Sequence, residues 1–166
     1  EHMDRLVEIF NVCWPMYAAM PAVLKDAIER AYVDAGWDLR KSRNRYSARL
    51  FPTFVDVLQQ IDAVMNESQY SADSKGDYKG ALCTRLRSLT NGINGMIFSA
   101  DELDSADLFD RNVIVDLSRV GSTETKALIM GLLVMKLQEY RMSQGGMNET
   151  LRHVTVLEEA HNLLKR

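Results

Sequence analysis

Cysteine is nearly absent: Cys13 and Cys83 stand far apart among 166 residues, without the close Cys or His partners that zinc sites and disulfide scaffolds require. A reducing compartment is the expectation. No apolar run approaches the ~20 residues of a membrane span, and no charged-then-apolar signal segment opens the chain, so a soluble, cytoplasmic protein is expected. Neither charge sign dominates. Twenty Lys and Arg against 23 Asp and Glu give a net charge of −3, which excludes a uniformly basic surface and leaves room for a local basic patch. Internal repeats and low-complexity tracts are also missing. What remains is a 46% hydrophobic chain, enough for a core.

The first half reads as helices. Leu6, Val7, Phe10 and Cys13 recur at helical spacing up to Pro15, and Pro21 suits the first turn of a second helix striped by Val23, Leu24, Ala27, Ile28, Ala31 and Tyr32, with Gly36 as its stop. Arg40-Lys41-Ser42-Arg43-Asn44-Arg45 has no periodicity and reads as an exposed connection. Pro52-Thr53 then opens a helix carrying Phe54, Val57, Leu58, Ile61, Val64 and Met65. Residues 66–76 read as a polar loop before a helix through Tyr78, Leu82, Leu86 and Leu89 that ends at Asn91-Gly92.

Beyond Phe98 the pattern changes. Asn112-Val113-Ile114-Val115-Asp116-Leu117 is a compact β-branched run, and Ser122 or Thr123 caps a long helix that ends at Gly145-Gly146. Met130, Met135 and Met142 fall at its core positions. A second β-branched run, His153-Val154-Thr155-Val156-Leu157, ends in the adjacent carboxylates Glu158 and Glu159. Strand, helix, strand in this order implies a right-handed crossover between parallel strands. The expected fold class is therefore α/β: a helical region over residues 1–98, then a partial parallel core over 99–166.

A buried parallel strand that delivers two acids to the sheet edge is the layout of a Walker B strand. A plainer reading has Glu158-Glu159 opening an exposed helix, where acids favour the first turn. The β-branched run before the pair and Ala160-His161-Asn162 after it favour the strand reading. No Gly-x-x-x-x-Gly-Lys-Ser/Thr occurs in the chain, so the loop that would cradle phosphates is not among these residues.

Val154-Thr155-Val156-Leu157-Glu158-Glu159-Ala160-His161-Asn162-Leu163 resembles the hydrophobic strand and Asp-Glu-Ala-His-Asn-Leu segment of the HerA/FtsK-like P-loop motors. Within them it is most similar to the HerA-type DNA translocases. Val113-Ile114-Val115-Asp116-Leu117-Ser118-Arg119 is similar to the family's preceding strand, and the helical first half resembles an insertion carried between the P-loop and that strand. The resemblance implies a RecA-like core, usually a homohexameric ring, that uses ATP and Mg to move along DNA. It places Glu158 at the magnesium, through water, and makes Glu159 the base that polarises the attacking water. Glu158 stands where the family has Asp, which lengthens the reach to the metal by about one bond. The P-loop lysine and the arginine finger would lie outside these 166 residues, and the chain alone is expected to be inactive.

Asp116, at the end of its run, is a candidate nucleotide-site residue that would polarise water, or else a local acceptor for the Ser118 backbone. Arg119 is a candidate interface arginine or a solvated loop residue, and His161 a coupling residue or a local hydrogen-bonding partner. Arg40, Lys41, Arg43 and Arg45, with Arg49 and Tyr46 nearby, form a candidate nucleic-acid contact or an ordinary solvated charge run. Two other readings compete with the motor. One is a non-catalytic helical interaction module with a degenerate nucleotide site. The other is a self-contained helical enzyme using Glu158 and Glu159 as an acid/base pair, which opposite-facing neighbours on a strand serve poorly.

Overall fold

The computed structural model describes residues 2–145, 151 and 153–158. In chain order these form α1 (His2–Cys13), α2 (Met20–Asp34), β1 (Trp37–Asp38), β2 (Arg43–Asn44), α3 (Phe54–Glu67), α4 (Ala72–Thr90), α5 (Gly92–Ile97), α6 (Ser105–Phe109) and α7 (Thr123–Gln144). They divide into two units, one of residues 1–7 and 16–100, the other of residues 8–15 and 101–166.

The first unit is built on α2, α3 and α4. Pro21 occupies the first turn of α2, where its missing N–H costs no hydrogen bond, and Met20, Val23, Leu24, Ala27, Ile28 and Ala31 form the buried stripe. Thr53 and Asp56 close the start of α3: the Thr53 N–H and hydroxyl both donate to Asp56 Oδ2, at 2.6 and 2.7 Å. Val57, Ile61, Val64 and Met65 then face inward. Ser71 caps α4 by accepting from the Ser74 N–H at 3.3 Å, and Tyr78, Leu82, Cys83, Leu86 and Leu89 are buried along it. The loop expected over 66–76 shrinks to residues 68–71, because the Ser71 cap starts the helix ahead of the apolar stripe.

On the surface of this unit the Lys25 ammonium donates to Asp4 Oδ1 at 2.6 Å and holds that carboxyl at about 2, below its usual 3.8. A carboxylate depressed on folding stabilises the protein above its unfolded value, and that contribution is lost as pH falls through about 2. The side-chain carboxyl resonance of Asp4 should therefore titrate near pH 2, and Lys25→Met should move its midpoint up toward 3.8. A midpoint that Lys25→Met leaves in place would contradict the pairing.

In the second unit Ser122 caps α7, accepting from the Thr125 N–H at 3.0 Å. Leu128 is fully buried and Met135 nearly so, whereas Met142 is exposed, so the expected methionine stripe holds only in part. Gly131 is needed for close approach: a Cβ there would lie 2.8 Å from Ile9 Cγ2. Arg141 ties α7 to the end of α6 through Asp110 Oδ1 at 2.7 Å and the Phe109 carbonyl at 2.7 Å.

The parallel strand-helix-strand core expected over 99–166 is not formed. The described residues are 62% helical, and the one sheet among them is the antiparallel pair β1-β2. Residues 112–117 and 153–157 carry no ladder pairing. Ile114 is 94% exposed and Val156 82%, so these β-branched runs lack the buried, paired surroundings that turn such a pattern into a strand. The α/β assignment is thus replaced by a mostly helical fold with one short hairpin.

Candidate functional site

The carboxylate end of the second β-branched run begins at His153. Its Nδ1–H donates to the Phe109 carbonyl at 2.9 Å, which leaves Nε2, 2.7 Å from Thr155 Oγ1, to accept the hydroxyl proton in the neutral ring. The ring also meets Phe109 edge-on. Beyond this anchor Val154, Thr155, Val156 and Leu157 are exposed, and Glu158 sits exposed in a turn. Glu159 and His161 lie outside the described residues.

Asp116 is exposed, and its Oδ1 accepts from the Ser118 N–H at 2.8 Å. That backbone bond, with help from the Ser118 hydroxyl, holds the carboxyl below the usual range. Asp116 therefore closes a local turn with one oxygen and is ionised at neutral pH. Arg119 is exposed in the turn that follows. Among the described residues no three His, Cys, Asp or Glu side chains gather into a metal cage. Magnesium, however, is commonly held by one or two carboxylates plus water and phosphate oxygens, and a solvent-facing carboxylate such as Glu158 suits that role.

The basic segment, expected as an irregular connection, is instead an ordered β-hairpin. Trp37 pairs with Asn44 and Asp38 with Arg43, and the Arg45 N–H extends the ladder to the Gly36 carbonyl at 3.0 Å. The determinants lie outside the charge run. Asp38 Oδ1 accepts from the Arg40 and Lys41 N–H groups and shapes the turn, in which Ser42 takes φ 50. Asn44 is the staple: its Nδ2 donates to the Ala35 and Leu50 carbonyls, and its Oδ1 accepts from the Tyr46 and Ser47 N–H groups. Trp37 stacks on Phe51 at 5.0 Å, with Tyr32 against both rings, and its Nε1–H donates to the Leu50 carbonyl at 2.6 Å. Gly36, at φ +97, lets the Tyr46 ring come within 2.6 Å of where a Cβ would stand.

The structure brings Arg40, Lys41, Arg43 and Arg45 together on this hairpin, all exposed, with Tyr46 and Arg49 just beyond. Sequence reading picked out these charges but missed Asn44, whose only visible signal was a turn-forming residue within a basic run. Asn44→Ala should cost about 1–2 kcal/mol, since it removes bonds to four backbone groups that water only partly replaces. It should also speed amide exchange at Arg45. Unaltered exchange there would mean that the hairpin does not depend on this side chain.

Comparison with protein-family models, curated protein sequences and solved structures gave no match. The functional reading therefore rests on the residues.

Proposed function

We propose that these residues belong to an ATP-hydrolysing motor of the HerA/FtsK type that couples hydrolysis to movement along DNA, working as a homohexameric ring. The observation that carries this reading is the run Val154-Thr155-Val156-Leu157 ending in Glu158-Glu159-Ala160-His161-Asn162-Leu163, together with Val113-Ile114-Val115-Asp116-Leu117-Ser118-Arg119 earlier in the chain. The exposure of Glu158 at the end of its run is compatible with a carboxylate that meets a ligand rather than a core partner.

In this reading Glu158 would hold magnesium through water, and Asp116, ionised and held by Ser118, would lend negative charge to the nucleotide site. Glu159 takes a proton from the attacking water. Magnesium, when bound with ATP, supplies charge neutralisation at the phosphates. The phosphate-cradling loop comes from sequence outside these 166 residues, so the chain alone hydrolyses no ATP. The test is ATP turnover by a protein that carries both this chain and a phosphate loop, with and without Glu159→Gln.

The predominantly helical fold favours a second reading, a non-catalytic interaction module with a degenerate nucleotide site. A protein that binds a partner but turns over no ATP even with a phosphate loop present would select it.

A further inference from the structure

Residues 40–49 read Arg-Lys-Ser-Arg-Asn-Arg-Tyr-Ser-Ala-Arg, five cations and no carboxylate in a chain whose net charge is −3. The nearest acid, Asp38, is already used by the Arg40 and Lys41 N–H groups and by an ion pair with Lys41 Nζ at 3.7 Å. Among the described residues no ion pair neutralises the guanidinium groups of Arg40, Arg43, Arg45 or Arg49. Such a concentration of like charge opposes the hairpin that gathers it, and a polyanionic partner would relieve the repulsion beyond what mobile counterions screen.

The geometry narrows the partner. Arg43 lies on β2 and Arg45 at the bend just beyond it, where its N–H donates to the Gly36 carbonyl, so both cations stand at the same end of the hairpin. Asn44 between them turns its amide toward the Ala35 and Leu50 carbonyls. Tyr46 follows at once, 70% exposed, with the Arg45 guanidinium 5.5 Å from its ring centroid. The Tyr46 N–H is fixed by Asn44 Oδ1 at 2.7 Å, so the backbone that presents this ring is ordered before any ligand arrives. Cations beside a largely exposed aromatic ring suit an unpaired nucleic-acid strand: phosphates meet the guanidinium forks and a base stacks on the part of the ring that Arg45 and Gly36 leave uncovered. An anionic membrane would use the charges but not the ring face, and a duplex offers no unstacked base.

We infer that the β1-β2 hairpin binds single-stranded nucleic acid, with Arg43 and Arg45 on its phosphates and Tyr46 as a base-stacking platform. Binding there uses none of the carboxylates of the proposed ATP reaction and needs no nucleotide, so its failure and the failure of that reading are distinguishable.

The experiment titrates the 166-residue chain against a fluorescein-labelled oligo(dT) 20-mer, the same length of duplex, and vesicles of phosphatidylcholine with phosphatidylserine, over a range of salt. The single strand should bind most tightly. Changing Arg43 and Arg45 together to Ser should weaken binding at least 10-fold and lower the slope of log K against log salt by about 1.4, at about 0.7 for each lost phosphate contact. Tyr46→Ala should weaken the single strand by about 5-fold or more and leave the salt slope unchanged, while Tyr46→Phe should retain binding. Asn44 rather than these side chains closes the hairpin, so circular dichroism should match the parent in each variant. Unchanged affinity in the double arginine variant overturns the proposal. So does tighter binding to the vesicles, or a Tyr46→Ala variant that binds as well as the parent.

Discussion

Ile61→Ala should lower the unfolding free energy of the α2-α3-α4 unit by about 3–4 kcal/mol, the usual cost of emptying a closed core position. Ile61 is 0% exposed on the inner face of α3, in line with Val57, Val64 and Met65, and its neighbouring helices bury Ile28, Leu24, Leu86 and Leu89 almost completely. Such a site collapses little when a side chain is shortened, so most of the cavity remains. Domains of this kind are stable by only about 5–15 kcal/mol, so the loss should move a urea midpoint clearly at unchanged slope. Trp37 fluorescence in a Trp14→Phe background reports this unit, because Trp37 packs within it against Tyr32 and Phe51. Val55→Ala, at an exposed position on the same helix, should change stability by less than about 0.5 kcal/mol. Equal effects at the two positions would show that the packing of α3 is not as described.

Glu159→Gln, in a protein that joins this chain to a phosphate loop, should lower ATP turnover by about 100-fold or more while leaving ATP affinity within a few-fold. The amide keeps the size of the side chain but cannot accept the water's proton, and general-base contributions of this kind are worth about 10²–10⁴ in rate. Glu158→Gln should act differently. On the proposed assignment it would weaken the hold on magnesium, so its defect should recede as magnesium is raised, whereas that of Glu159→Gln should not. Identical magnesium responses would mean that the two acids do not divide the roles proposed for them.

The longer helices were readable because their signals are local, whereas the short α5 and α6 carry no apolar stripe and were not expected. Pro21, Pro52-Thr53 and Ser122 mark starts, and the stripes of α2 and α3 follow the 3.6-residue period that burial imposes. The β-branched runs at 113–115 and 154–156 misled for the opposite reason. Strand propensity reports fitness for a paired, half-buried surface, and the pairing partner is a property of the fold rather than of the run. Val113, Ile114 and Val115 have the composition of a buried strand and are all exposed. The hairpin escaped notice because strands of two residues show no alternation, and its order comes from Asn44 and from ring contacts reaching back to Tyr32 on α2. For the candidate sites, the residue types were legible, and so was the basic cluster. That Asp116 spends one oxygen on Ser118 was open in the sequence, since a local turn and a water-polarising role ask for the same residue.

The most direct measurement compares steady-state ATP hydrolysis by the 166-residue chain with that of a longer protein in which a Gly-x-x-x-x-Gly-Lys-Ser/Thr segment precedes it. The motor reading predicts background rates for the first and magnesium-dependent turnover, lost on Glu159→Gln, for the second. Turnover by the longer protein that is indifferent to Glu159→Gln, or no turnover at all, would contradict it.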